Sequence, residues 1–168
     1  MEMFAFYKKH NNQLYNRLIG LSRDKFFYDN IKLSDDFETR ILLIFFHLAI
    51  ILKIAKGSKY QKKSQETFDN IFLNIEYNIR ELGYGDVFVN KKMKSLNKTF
   101  YDILINLDKE KILFSRNTDL LKKYFFTKGK TEQEKMHKLA QYLRKFKDFC
   151  FDLDVNIMLN GSIDFKYR

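Results

Sequence analysis

Arg40-Ile41-Leu42-Leu43-Ile44-Phe45-Phe46-His47-Leu48-Ala49-Ile50-Ile51-Leu52-Lys53 is the stretch on which the fold turns. Twelve residues, Ile41 to Leu52, lie between two basic side chains with His47 as their only polar member. A helix needs about 20 apolar residues to cross a bilayer, so this run is too short for a transmembrane span. It leaves no face for water either, and a helix apolar on every side has to be enclosed by other helices. Upstream, Asp35 with Glu38 three residues on has capping-box spacing, and Gly57 follows Lys56 as a stop. The expectation is a buried central helix between these signals.

The segments on either side read as helices with one apolar face. Phe4, Tyr7, Leu14, Leu18 and Leu21 share a face in a first helix from Met3 to about Leu21, followed by an aromatic connection at Phe26-Phe27-Tyr28. Phe68, Ile71, Phe72, Ile75, Ile79 and Leu82 step by three and four up to Gly83. Beyond the glycines, Asn90 is a candidate cap for a helix lined by Met93, Leu96, Phe100, Leu104 and Leu107. Between Asp108 and Gly129 two short helices divide near Asn117, and Thr131 with Glu134 forms a second capping box. That box opens a last long helix carrying Met136, Leu139, Ala140, Leu143, Phe146 and Cys150. Asn160-Gly161 reads either as a hairpin turn or as a helix end, and the helix end is favoured because a lone hairpin is marginal. The fold class is all-α: a single-domain bundle of about six to seven helices around the apolar one.

No catalytic constellation emerges. The chain has no phosphate-cradling glycine loop with its lysine and hydroxyl, and Gly83-Tyr84-Gly85 lacks the third glycine and preceding strand of a dinucleotide fingerprint. His10, His47 and His137 are not at zinc-ligand spacing with each other or with Cys150. Asp152-x-Asp154-x-Asn156 starts like a calcium loop but puts Ile157 where glycine is needed. Cys150 sits on an apolar helix face and reads as a small hydrophobe. An enzyme therefore ranks last among the functional classes, with no small-molecule substrate and no cofactor expected.

Arg80-Glu81-Leu82-Gly83-Tyr84-Gly85-Asp86-Val87-Phe88-Val89 is the other informative stretch. Gly83 is placed to take the left-handed conformation that closes a helix, and Gly85 adds a second free turn. Arg80, Glu81 and Asp86 read either as an ion-pair network fixing the corner or, with Lys91, Lys92 and Lys94, as a surface for a partner. Among 18 phenylalanines and 10 tyrosines, Tyr28, Tyr77, Tyr84, Phe88, Tyr101, Tyr124 and Phe126 are candidates for an exposed apolar patch. His47 reads as a core histidine bonded to a backbone carbonyl or a tyrosine, or as a polar element in a client groove.

The run from Arg80 through Gly83, Gly85 and Asp86, then Lys92-Met93-Lys94 and Phe100-Tyr101, resembles the ubiquinol-cytochrome c chaperone family. Ser22-Arg23, Phe27-Tyr28, Arg40 and His47 follow in the family's order and spacing, and the two blocks span about two thirds of the chain. The resemblance implies an assembly chaperone that binds newly made cytochrome b and holds it during maturation into the cytochrome bc complex. It makes Arg40, His47, Arg80, Glu81, Gly83, Tyr84, Gly85, Asp86, Lys92, Met93, Lys94, Phe100 and Tyr101 the candidates for meeting client or partner. A second small assembly subunit is a further partner it allows. The expected place is peripheral to the inner membrane, on the cytoplasmic side in a bacterium or the matrix side in a eukaryote.

Composition agrees with this setting and keeps one alternative alive. The 168 residues suffice for one core, a lone cysteine makes no internal disulfide, and Met1 to Lys9 reads as the start of an amphipathic helix, so no secretory or transit signal is expected there. Thirty-one basic against 21 acidic residues give a net charge of +10, which attracts polyanions such as a ribosome or an anionic membrane. The same charge fits a basic helical nucleic-acid-binding module. It also fits the lysine-rich usage of an AT-rich genome.

Overall fold

A computed structural model describes residues 12–109, 118–126 and 132–168. These form α1 (Gln13–Ser22), a π-helical turn (Phe26–Asn30), α2 (Phe37–Ala55), α3 (Gln61–Glu81), α4 (Asp86–Lys109), α5 (Asp119–Phe125), α6 (Gln133–Phe151) and α7 (Val155–Leu159). The all-helical bundle expected from the sequence is the fold, and no strand occurs among the described residues.

The enclosure of α2 organises it. Every residue from Leu43 to Ile51 is buried. With 3.6 residues per turn, neighbours along a helix point about 100° apart, so three in a row must meet three different partners. Phe45 packs on Phe72 of α3 and Phe100 of α4, with ring centroids 5.4 and 5.3 Å away. Phe46 meets Phe125 of α5 at 5.4 Å. His47 turns to α6, where Phe146 lies 4.6 Å and Tyr142 5.5 Å away. Burying a side chain of this size is worth about 1.5–3 kcal/mol. The helices packed around it and the turn at Phe27 are therefore held mainly by covering α2.

His47 is the one polar group in that surface, and both its ring nitrogens are satisfied. Nδ1 lies 2.6 Å from the Leu43 carbonyl, which can only accept, so Nδ1 carries the proton. In the neutral ring Nε2 then accepts from the Tyr142 hydroxyl at 2.9 Å. Burial pushes the His47 pKa down to about 4, against the Leu43 bond, which favours the charged form. Tyr142 itself is fully buried among Phe27, Phe26, Phe165 and Tyr167, and burial raises its pKa well above the usual value.

The ends of the helices show where local reading went astray. Asp36, one residue after the expected cap, receives the Thr39 amide at 2.8 Å and starts α2. Asp35 instead holds Arg40 at 2.6 Å, and Glu38 pairs with Lys92 rather than closing a capping box. The aromatic connection is a π-helical turn whose Ile31 amide bonds the Phe26 carbonyl. Leu82 falls past the last turn of α3 and is exposed, and α4 starts at Asp86, leaving Asn90 inside a helix. Acidic Asp86 in the first turn of α4 faces the positive end of the helix dipole, which favours that earlier start. Phe4 and Tyr7, the short helix before Asn117 and the cap at Thr131 lie outside the described residues.

After α6 the chain turns sharply into α7, capped by Asp154, whose carboxylate receives the Asn156 and Ile157 amides at 2.8 and 3.2 Å. The favoured reading of a helix closed by Gly161 holds, with a separate short helix in place of a continuation of α6. Gly161 has φ +85°, and a Cβ there would stand 2.6 Å from the Leu14 amide nitrogen of α1. Beyond it, Ile163 and Phe165 are buried and their carbonyls are gripped by the Arg17 guanidinium, at 3.0 Å for Phe165. Cys150 is buried too, its thiol pushed up to about 12 by burial, as a structural residue would be.

These features set stability. A histidine held neutral stabilises the fold fully above its unfolded pKa of about 6.5, and this is lost as pH falls toward 4. The loss amounts to on the order of 3 kcal/mol. Chemical denaturation across that window should show a clear slope in the native chain and a flatter one in His47→Leu/Tyr142→Phe, where neither polar partner is stranded. As a surface control for the glycine positions, Lys94→Ala should change stability by less than about 0.5 kcal/mol. Gly83→Ala, at φ +93° in open space, should cost about 1–2 kcal/mol. Gly161→Ala should cost the most, since it adds a backbone clash to the same strain, and thermal melts of the three variants check the order.

Candidate functional site

The α3–α4 corner is the first feature of the surface. Gly83 takes the left-handed conformation expected of it, its amide bonding the Arg80 carbonyl at 2.9 Å, while the Gly85 carbonyl accepts the Val89 amide at 3.0 Å. Arg80 bridges the two helices: its guanidinium donates to Glu76 at 2.9 and 3.1 Å and also pairs with Asp86. Glu76 takes the place expected for Glu81, because it lies one turn from Arg80 on the same face whereas Glu81 is turned about 100° away. These pairs are solvated and contribute little stability; their effect is to fix direction.

Around this tie the corner exposes apolar side chains. Val87 is 85% exposed and Leu82 63%, and Tyr84 stacks on Phe88 with centroids 4.2 Å apart. Of the aromatic candidates, Tyr84, Phe88 and Tyr101 are exposed, while Tyr28, Tyr77, Tyr124 and Phe126 are half-buried. Past the corner, Val87, Lys91, Lys94 and Lys98 recur by four, three and four, forming one outward stripe of α4. Lys92 leaves it to pair with Glu38 at the start of α2.

At the other end of α4 an open groove of about 350 Å³ lies between α2, α3 and α4. Leu52, Phe68, Phe100, Tyr101, Leu104 and Ile105 give it an apolar lining, and Lys53, Lys56 and Gln61 stand at its edge. Phe68 touches Phe100, Phe72 and Tyr101, with centroids 4.5 to 5.8 Å away, so the lining continues the core outward. Ile105 is 53% exposed and Tyr101 46%.

The sequence candidates thus fall in different places. Arg80, Glu81, Gly83, Tyr84, Gly85 and Asp86 form the corner, and Lys92 and Lys94 lie on the adjoining turns of α4. Met93 is half-buried against the core, Phe100 forms the groove floor, and Tyr101 its wall. Arg40 stands apart with Asp35, and His47 is fully buried, so it acts on any surface only through the packing it supports. Leu52, Phe68 and Ile105 went unread as groove residues. The signal for Ile105 was available, since it follows Tyr101 by four on a face that excludes Phe100, Ile103 and Leu107.

Comparison with known proteins draws on the whole of this arrangement. No curated protein gives a significant match. Among solved structures the fold is similar to the crystal structure of the Cbp3 homolog from Brucella abortus, with a TM-score of 0.73 and 22% sequence identity. The match covers 92% of this chain and 87% of that one, and at this identity it speaks to the fold. The sequence model of the ubiquinol-cytochrome C chaperone family matches residues 29–165, which take in α2, the glycine corner and the groove. The chain belongs to the ubiquinol-cytochrome c chaperone family.

Proposed function

We propose that this protein is a nonenzymatic chaperone of cytochrome bc complex assembly that holds newly made cytochrome b in the groove between α2, α3 and α4. The observation that carries the reading is that groove: an apolar surface left open where α2, α3 and α4 diverge, continuous with the aromatic core around α2. An exposed apolar concavity costs solvation unless a partner covers it. Cytochrome b, an apolar membrane protein, offers apolar helices to cover it, and the lysines at the groove edge suit a polar or acidic end of such a segment.

No described helix is long and apolar enough to cross a membrane. The chaperone therefore meets its client from beside the bilayer, in this reading, and works peripherally. The corner of α3 and α4 aims the groove, because α4 carries both and Arg80 fixes its angle to α3. Catalysis has no part in it: holding and releasing an apolar segment needs area and shape, and the buried His47 and Cys150 are unavailable for chemistry.

The test is a photocrosslinking amino acid at Ile105 and, as a control, at exposed Arg144 on α6, in cells making tagged cytochrome b. Ile105 should capture cytochrome b and Arg144 should not. Ile105→Asp, which sets a charge where apolar area must be covered, should lower spectrally detected cytochrome b several-fold while the purified variant melts within a few degrees of the native chain. Normal cytochrome b in cells carrying that folded variant, or equal capture from both positions, would overturn the reading.

A further inference from the structure

The outward stripe of α4 and the corner before it combine two properties that the groove does not use. Leu82, Tyr84, Val87 and Phe88 form an exposed apolar tip, and Lys91, Lys94 and Lys98 follow on the next turns. None of these three lysines has an acidic partner among the described residues. Between Asp86 and Asp102 the sequence contains no acid at all. Asp86 is itself answered by Arg80, which leaves Glu81 as the one exposed carboxylate at the corner without an ion pair among the described residues. The tip and the stripe together extend about 16 Å along the helix, from Val87 to Lys98.

We infer that this face docks the protein on an anionic lipid surface, with the corner entering the headgroup layer and the lysine stripe lying on the phosphates. The inference rests on the peripheral placement proposed above and assigns it to residues. Charge complementarity selects an anionic partner, since three unanswered lysines on one face are attracted to a negative surface. Lipid is favoured over nucleic acid by the apolar members. The two most exposed members of the tip, Leu82 and Val87, are aliphatic and offer no stacking surface to a base, Tyr84 and Phe88 are stacked on each other, and the stripe holds no arginine to fork onto a phosphate. An apolar tip beside basic residues is the pattern of an element that lies in a membrane interface.

Geometry gives the docking a use. The groove lies on the same helix, four to five turns from the tip, with its walls at Tyr101 and Ile105. A protein seated by this face holds the groove wall next to the bilayer surface, where an apolar segment arriving at or leaving the membrane would pass.

Vesicle cosedimentation of the full chain tests this at about 0.15 M salt, where exposed charges are screened beyond roughly 8 Å. Vesicles of phosphatidylcholine alone are compared with vesicles containing phosphatidylglycerol. The native chain should bind only the second, K91E/K94E/K98E should lose more than about tenfold in partitioning, and L82S/V87S should lose several-fold. All substitutions are at exposed positions, and unchanged melting separates lost binding from lost folding. The chain has no tryptophan, so Phe88→Trp supplies a single reporter whose emission should shift to the blue on anionic vesicles. Absence of binding to anionic vesicles, binding without a blue shift, or full binding by L82S/V87S would overturn the inference. Binding to RNA but not to vesicles would overturn it in favour of a nucleic-acid face. Each failure is distinct from that of the chaperone reading, since capture of cytochrome b at Ile105 is scored separately.

Discussion

A helix with no polar side constrains everything around it. From Leu43 to Ile51 every residue of α2 is buried, and consecutive side chains send it toward three neighbours at once. The other helices need only one apolar face each because α2 spends all of its own. That division explains why α3, α4 and α6 stay amphipathic and well charged while the core remains dense in aromatic rings. It also explains the single concession within α2: His47 survives there because Leu43 and Tyr142 supply both hydrogen bonds the neutral ring needs.

The surface follows from the same economy of faces. Once α4 has given Val89, Leu96, Phe100, Ile103 and Leu107 to the core, its opposite side has nothing inside the molecule to bury. That side nevertheless carries Val87, Tyr101 and Ile105, separated by three lysines. The corner ahead of it is held by weak, solvated ion pairs and one glycine in the left-handed conformation, a combination that sets an angle with little energy. The groove and the corner are thus two outlets of one helix, and an account of either has to treat α4 as the common rod.

Sequence made the long elements legible and missed the joints. Ile71, Phe72, Ile75 and Ile79 announced the buried face of α3 because their steps of three and four have no other helical meaning, and Gly83 announced its end. Asp35 and Asp36 differ by one position, and which of them caps α2 depends on a backbone angle that composition does not encode. Val87-Phe88-Val89 hid the start of α4, since three adjacent apolar residues carry no helical period and only Val89 turns inward. Tyr142 was overlooked as a core residue although it follows Leu139 by three and precedes Phe146 by four. The groove was the least visible, because it arises where α2, α3 and α4 diverge and no single helix states that distance.

The grip of Arg17 on the carbonyls of Ile163 and Phe165 joins residues about 150 positions apart, and Gly161 lies against the backbone of α1 in the same region. Synthesis therefore delivers α2, the most water-averse part of the chain, long before the segment that seals its His47 side. Until residues 161–167 have left the ribosome, Tyr142 and its ring neighbours lack Phe165 and Tyr167, and α1 lacks its lock. A chaperone built this way passes through an interval in which its own core is as exposed as that of a client, and its birth has the hazards it is proposed to relieve in another protein.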